Sequence, residues 1–295
     1  MGNETARWLA DARSFADLGG PALVLVFVRR VLLRRGRRGV LRLQTDDQRP
    51  LDVVVTTAGK AESVVGPSGF TRYTTGFGQV VGLATCASRL KTIYPRKTIR
   101  VQFSEHVTDP SHDLIILGGL DGNEYASRLV EEFREAFGDS GAEWFHYDDR
   151  GTTEVVLGSA KYVPFDLRIE NGVVRQDLGI VIFWRNFLSS EWRRAVLCYG
   201  FTSYGTAEAS RFAFETVTPI SLGSLLRPTR AVRLVRRHVR RTDSCVICVV
   251  LARFGADQTP EGPPALVAAC AFRGGQEAEQ LEVSVGARGR HAKCS

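Results

Sequence analysis

Three times along this chain an apolar run ends in glycines and leads into a stretch with helical periodicity, an order that severely restricts the fold. The first unit is residues 63–66, the glycine-rich 67–78, and a helix expected near 79–90 with Val80, Leu83, Ala84, Ala87 and Leu90 as its apolar positions. The second is residues 113–119, then 120–123, then a helix to about Phe137. The third is residues 195–200, then 201–205, then a helix over 206–217. Strands alternating with helices predict an α/β fold with Rossmann-like strand, glycine turn and helix units and at least some parallel sheet.

Between the second and third units the pattern changes to short β-rich runs at 154–157, 162–165 and 178–184, with turn-like Asp148–Gly151 and Glu170–Gly172 between them. These predict antiparallel hairpins, so the sheet is expected to be mixed. Two more strands are expected at 244–254 and 265–272. The expected organisation is a basic helical segment over 1–50, an α/β ligand-binding domain over 51–285, and a disordered tail over 286–295.

A net charge of +7 looks like a nucleic-acid signal until the charges are placed. Seven arginines lie between Arg29 and Arg42 and seven between Arg227 and Arg241, with no acid in either stretch, so the remaining residues carry −7. Such segments suit peripheral contact with a membrane or with nucleic acid, or a solvated helix face. Arg233, Arg236, Arg237, Arg240 and Arg241 fit mostly one broad side of a helix, with Val232, Leu234 and Val235 between them. The apolar run 21–28 is too short to span a bilayer and precedes its charges, unlike a secretory signal. Six scattered cysteines then point to reduced thiols and a cytoplasmic location. Cys245 and Cys248 sit in a β-branched run, where positions three apart face opposite ways, so no metal site is expected there.

A glycine turn feeding a helix N-terminus aims backbone N–H groups and the positive end of the helix dipole at one spot, which suits an anion. The residues expected to line such a crevice are Arg72, Thr74, Thr75, Gly76 and Gln79 from the first unit, Gly118, Gly119 and Asn123 from the second, and Tyr204, Gly205 and Thr206 from the third. None of these turns has the dinucleotide or P-loop spacing. Catalytic candidates are fewer: Glu105, His106, Asp109, His112 and Asp113; His146 with Asp148 and Asp149; and Glu105 with Asp177 as paired carboxylates.

Residues 113–123, 177–182 and 199–209 together resemble a pattern shared by uncharacterised bacterial α/β proteins and by a repeated domain of S-layer surface proteins. There the first block is typically Gly-Gly-Pro with Asn four residues after the second glycine, and the last holds Ala-Gly, an aromatic residue and Gly-Thr before a helix. The match covers about residues 60–220 and departs at Leu120, which stands where proline is usual. The resemblance implies a mixed α/β fold with adjacent glycine turns and brings no activity with it.

The sequence thus predicts an intracellular binding protein, sensory or regulatory, for a nucleotide-like or other anionic small molecule. The alternatives are an enzyme acting on a nucleotide or nucleoside in the same crevice, and an interaction module that docks through its arginine segments. The sequence does not identify a cofactor.

Overall fold

The computed structural model describes residues 26–29, 31–33, 40–43, 49–57, 59–65, 68–120, 122–137, 146–147, 153–156, 162–165, 168–170, 173–218, 225–240, 244–255, 257, 259–273 and 276–281. The expected tail 286–295 and the Asp148–Gly151 turn fall outside these residues. The elements are β1 (Leu51–Val55), β2 (Gly59–Val65), β3 (Ser68–Thr74), α1 (Phe77–Ile93), β4 (Ile99–Phe103), β5 (Leu114–Leu117), α2 (Glu124–Phe137), β6 (His146–Tyr147), β7 (Thr153–Val156), β8 (Tyr162–Phe165), β9 (Arg168–Glu170), β10 (Val173–Arg185), β11 (Arg194–Gly200), α3 (Ser203–Arg211) with a π-helical continuation (Phe212–Val217), α4 (Arg230–Val239), β12 (Ser244–Arg253), β13 (Ala265–Arg273) and β14 (Gln276–Leu281).

The main sheet is mixed, in the order β14-β13-β12-β10-β11-β5-β1-β4, with β9 also paired to β10. From β11 to β4 the strands are parallel, and from β11 back to β14 every pairing is antiparallel. The two halves follow from connection length. Residues 186–193 are a short link that lets β11 fold straight back on β10, whereas β1 reaches its parallel neighbour β4 through a helix.

Side chains alternate between two cores, as the pleat requires. On one face Val53, Ile115, Leu117, Val196 and Phe183 meet Cys86 and Leu90 of α1, Ala209 of α3 and Val235 of α4. On the other, Val54, Leu114, Ile116, Ile180 and Trp184 meet Ala126, Leu129 and Phe133 of α2. Cys248 belongs to the first core and Cys245 to the second, as three-residue spacing on a strand demands. Val40, Leu41 and Leu43 lie in the first core beside Val235 and Val239, so the end of the N-terminal basic segment is built into the body.

The second and third units match the expected strands and helices, with α3 starting at Ser203, a turn earlier than 206. The first unit differs. Its sheet strand is β1, and residues 63–65 belong to a separate two-stranded hairpin, β2–β3, inserted between β1 and α1. Among the described residues no helix is long and apolar enough to cross a membrane.

Candidate functional site

The chain passes from β1 through α1 on one face to β4, and from β5, on the other side of β1, into α2 on the opposite face, which makes the carboxyl ends of β1 and β5 the topological switch point, the usual ligand position in such sheets. The N-termini of α1 and α2 converge there. Thr56, immediately after β1, organises the spot. Its hydroxyl accepts from Asn123 Nδ2 at 3.3 Å and its carbonyl from the Thr75 hydroxyl at 3.0 Å. Gln79 Oε1 accepts from the Gly76 N–H at 2.7 Å, and Asn123 Oδ1 accepts from the N–H groups of Tyr125 and Ala126 at 3.1 and 3.2 Å. The Gly76 N–H just before α1 and the second and third N–H groups of α2 are thereby taken by the protein's own side chains, and the Gly78 N–H lies 3.4 Å from the Ser203 hydroxyl.

Thr75, Gly76, Gln79, Gly118 and Asn123 are therefore gathered as the sequence suggested, with Thr56 in their midst. Gly118 has φ +115°, open to glycine and rare for other residues, and a Cβ there would lie 2.1 Å from Thr56 Oγ1. A Cβ on Gly119 would lie 2.9 Å from the Tyr199 ring. Arg72 and Thr74 lie on β3, opposite Ala61 and Gly59 of the hairpin. Thr56 escaped the sequence reading because β1 did; a hydroxyl directly after an apolar run is the signal that would have found it.

The third glycine turn already holds an anion of its own. Asp177 of β10 is fully buried and accepts from the N–H groups of Gly205 (2.7 Å), Thr202 (3.2 Å) and Leu178 (2.7 Å) and from the Thr202 hydroxyl. Its carboxylate takes the N-terminal position on α3 expected for a ligand at Gly205 and Thr206, and Thr206 N–H bonds to Thr202 O at 3.3 Å. Burial pushes the Asp177 carboxyl up to about 6, with the four bonds pulling the other way. Tyr204 packs between Phe254 and Phe77, with ring centroids 5.5 and 6.3 Å away.

The catalytic candidates separate. Glu105 follows β4 and its carboxylate oxygens lie 2.6 and 2.7 Å from the Thr57 hydroxyl. Asp177 lies four strand positions away in the sheet order, about 19 Å at the usual strand spacing. That is too far for the paired carboxylates of glycosyl chemistry. His112 Nε2 sits 3.3 Å from Asp109, while Asp113 Oδ1 accepts the Arg194 N–H at 2.9 Å. Among the described residues no three His, Cys, Asp or Glu side chains form a metal-binding group.

The two arginine-rich segments, far apart in sequence, meet at α4. The Thr229 hydroxyl accepts the Val232 N–H at 3.3 Å and starts the helix, and Val232, Val235 and Val239 bury its inner face. Arg230, Arg233, Arg237 and Arg240 recur at helical spacing on the exposed face. Arg236 departs from the expected basic face: it turns inward, donating from Nε to Val217 O at 2.7 Å and from Nη2 to Thr216 O at 2.9 Å. Those carbonyls close the π turn, where the Thr218 N–H reaches Ala213 O at 3.2 Å. Burial, with Arg240 beside it, lowers Arg236 to about 10. Arg241 lies outside the described residues.

A cleft of about 350 Å³ runs along this helix, lined by Leu225, Leu226 and Pro228 on its apolar side and by Arg233, Arg236, Arg237 and Arg240 on its cationic side. Among the described residues that line it none is acidic. At the end of α4, Arg42 donates to Arg240 O and Arg194 to Val239 O, two guanidiniums at the negative end of a helix dipole. Both also lie 5.4 Å from the Trp192 ring centre. Arg194 is fully buried, and its Nε and Nη1 meet no hydrogen-bond partner among the described residues. Burial lowers it to about 10. A buried cation satisfied at one nitrogen costs more than it returns. Arg194→Met is accordingly expected to raise stability by about 1–2 kcal/mol, read from urea unfolding, and a loss of that size would show that the guanidinium is compensated.

No family model, curated protein or solved structure matches the chain.

Proposed function

We propose that this protein binds a phosphorylated or otherwise polyanionic small molecule, nucleotides among them, in the arginine-lined cleft of α4. The observation that carries the reading is a cleft with four arginines and, among the described residues, no acid in its walls. Arg233, Arg237 and Arg240 are exposed and pair with no carboxylate among the described residues. Like charges held this close repel one another, and an anion between them relieves the repulsion; guanidinium also matches phosphate geometry bidentately. The switch-point turns, in contrast, spend their donors internally. A sensory or regulatory role in a reducing compartment fits the four described free cysteines, all buried.

Thermal-shift titration with ATP, pyrophosphate and inositol hexakisphosphate tests this. At a hundred times the dissociation constant a ligand adds about 2.7 kcal/mol. The stabilisation should vanish in an Arg233→Gln/Arg237→Gln/Arg240→Gln variant, whose changes are all at exposed positions. No shift in the unaltered protein, or an undiminished shift in the variant, would sink the assignment. Intact ATP after incubation separates binding from turnover.

A further inference from the structure

Basic and exposed apolar side chains occur together on this chain in a way that a small soluble anion does not require. The described residues include nine exposed large apolar side chains, and five of them, Val26, Phe27, Val28, Leu32 and Leu226, lie in or directly beside the two arginine segments. Phe27 is 47% exposed and Leu226, which lines the α4 cleft, 63%. Residues 26–29 and 31–33 are helical, with Arg29 following the apolar residues at once. The segment they open is joined to α4 further along, where Arg42 bonds to Arg240 O and Leu41 and Leu43 share a core with Val239.

We infer that these two segments dock the protein on an anionic membrane surface, with phospholipid phosphates on the α4 arginines and Phe27, Leu32 and Leu226 entering the boundary between headgroups and acyl chains. The inference rests on the proposed anion-binding character of the α4 cleft and adds the source of the phosphate. Three physical points support a bilayer over a free polyanion. Basic residues beside exposed apolar ones are the composition that holds a helix in the interfacial plane. A negative leaflet attracts clustered arginines within a Debye length. Leu225, Leu226 and Pro228 give the cleft an apolar wall that a hydrophilic anion leaves uncovered in water.

The test is co-sedimentation of the full chain with phosphatidylcholine vesicles and with vesicles containing about one third phosphatidylglycerol, at low and high salt, beside a thermal shift with inositol hexakisphosphate. Binding is expected to the anionic vesicles alone and to weaken about tenfold in 0.5 M salt. Phe27→Ser/Leu32→Ser should cut vesicle binding at least about fivefold and leave the hexakisphosphate shift unchanged. Arg233→Gln/Arg237→Gln/Arg240→Gln should reduce both. Vesicle binding absent while hexakisphosphate still stabilises overturns the membrane inference and spares the cleft; absence of both overturns the two together. Vesicle binding unaffected by the serine changes, or duplex DNA competing the protein off the vesicles without those side chains mattering, also overturns it and leaves a general polyanion surface.

Discussion

Asp177→Ala is expected to destabilise the protein by about 3–4 kcal/mol at pH 5, since it strips acceptors from the buried N–H groups of Gly205, Thr202 and Leu178 at once. The deficit should shrink as pH rises. With its carboxyl at about 6 against an ordinary 3.8, the folded protein holds this proton more tightly than the unfolded chain. The stability so gained is complete below about pH 4 and is lost as pH passes through 6, a change of about 3 kcal/mol that the alanine variant cannot show. Urea unfolding of both proteins between pH 4 and 7.5 isolates this group, because every other titration cancels in the difference. A deficit that grows with pH would mean that the four donors hold the carboxylate ionised.

Gly78→Ala should cost about 2–4 kcal/mol even though alanine is the better helix former by about 1 kcal/mol. Helices α1 and α3 touch backbone to backbone here: a Cβ on Gly78 would lie 1.9 Å from Ser203 O and 2.7 Å from Tyr204 N. Main-chain atoms cannot swing aside, so the helix N-termini would have to part and disturb the Asp177 turn. Four residues on, a Cβ at Gly82 meets the Ser210 hydroxyl at 2.8 Å and its Cβ at 3.4 Å, a side chain able to give. Gly82→Ala should therefore stay within about 1 kcal/mol of the unaltered protein. Equal melting midpoints for the two variants would refute this account of the contact.

These two sites also show what the sequence did and did not disclose. The strand, glycine and helix order at 113–137 and 195–217 was legible because β-branched runs, a glycine and a helix cap follow one another locally. The first unit misled because a hairpin intervenes between β1 and α1, and because β1 carries Asp52 in mid-run. The charge of Asp52 is met by Arg100 of the neighbouring strand, at 2.6 and 2.8 Å. Glycines signal that something comes close without saying what. At Gly118, Gly78 and Gly205 the approaching group is Thr56, Ser203 and the carbonyl of Leu178. Arg236 was equally opaque, since the carbonyls that draw it inward belong to a π turn about twenty residues earlier.

The change from antiparallel to parallel pairing at β11 also has an entropic meaning. One edge of β11 meets β10 across a connection of residues 186–193, and the other meets β5 across residues 118–193. Closing the longer span costs about 2 kcal/mol more chain entropy than closing the shorter one. Closing the hairpin is thus the less costly half of the sheet, and β5, β1 and β4 extend from its β11 edge. Stability in the parallel half therefore leans on the antiparallel one, and damage to β10 or β12 is expected to reach β1 through β11 and β5.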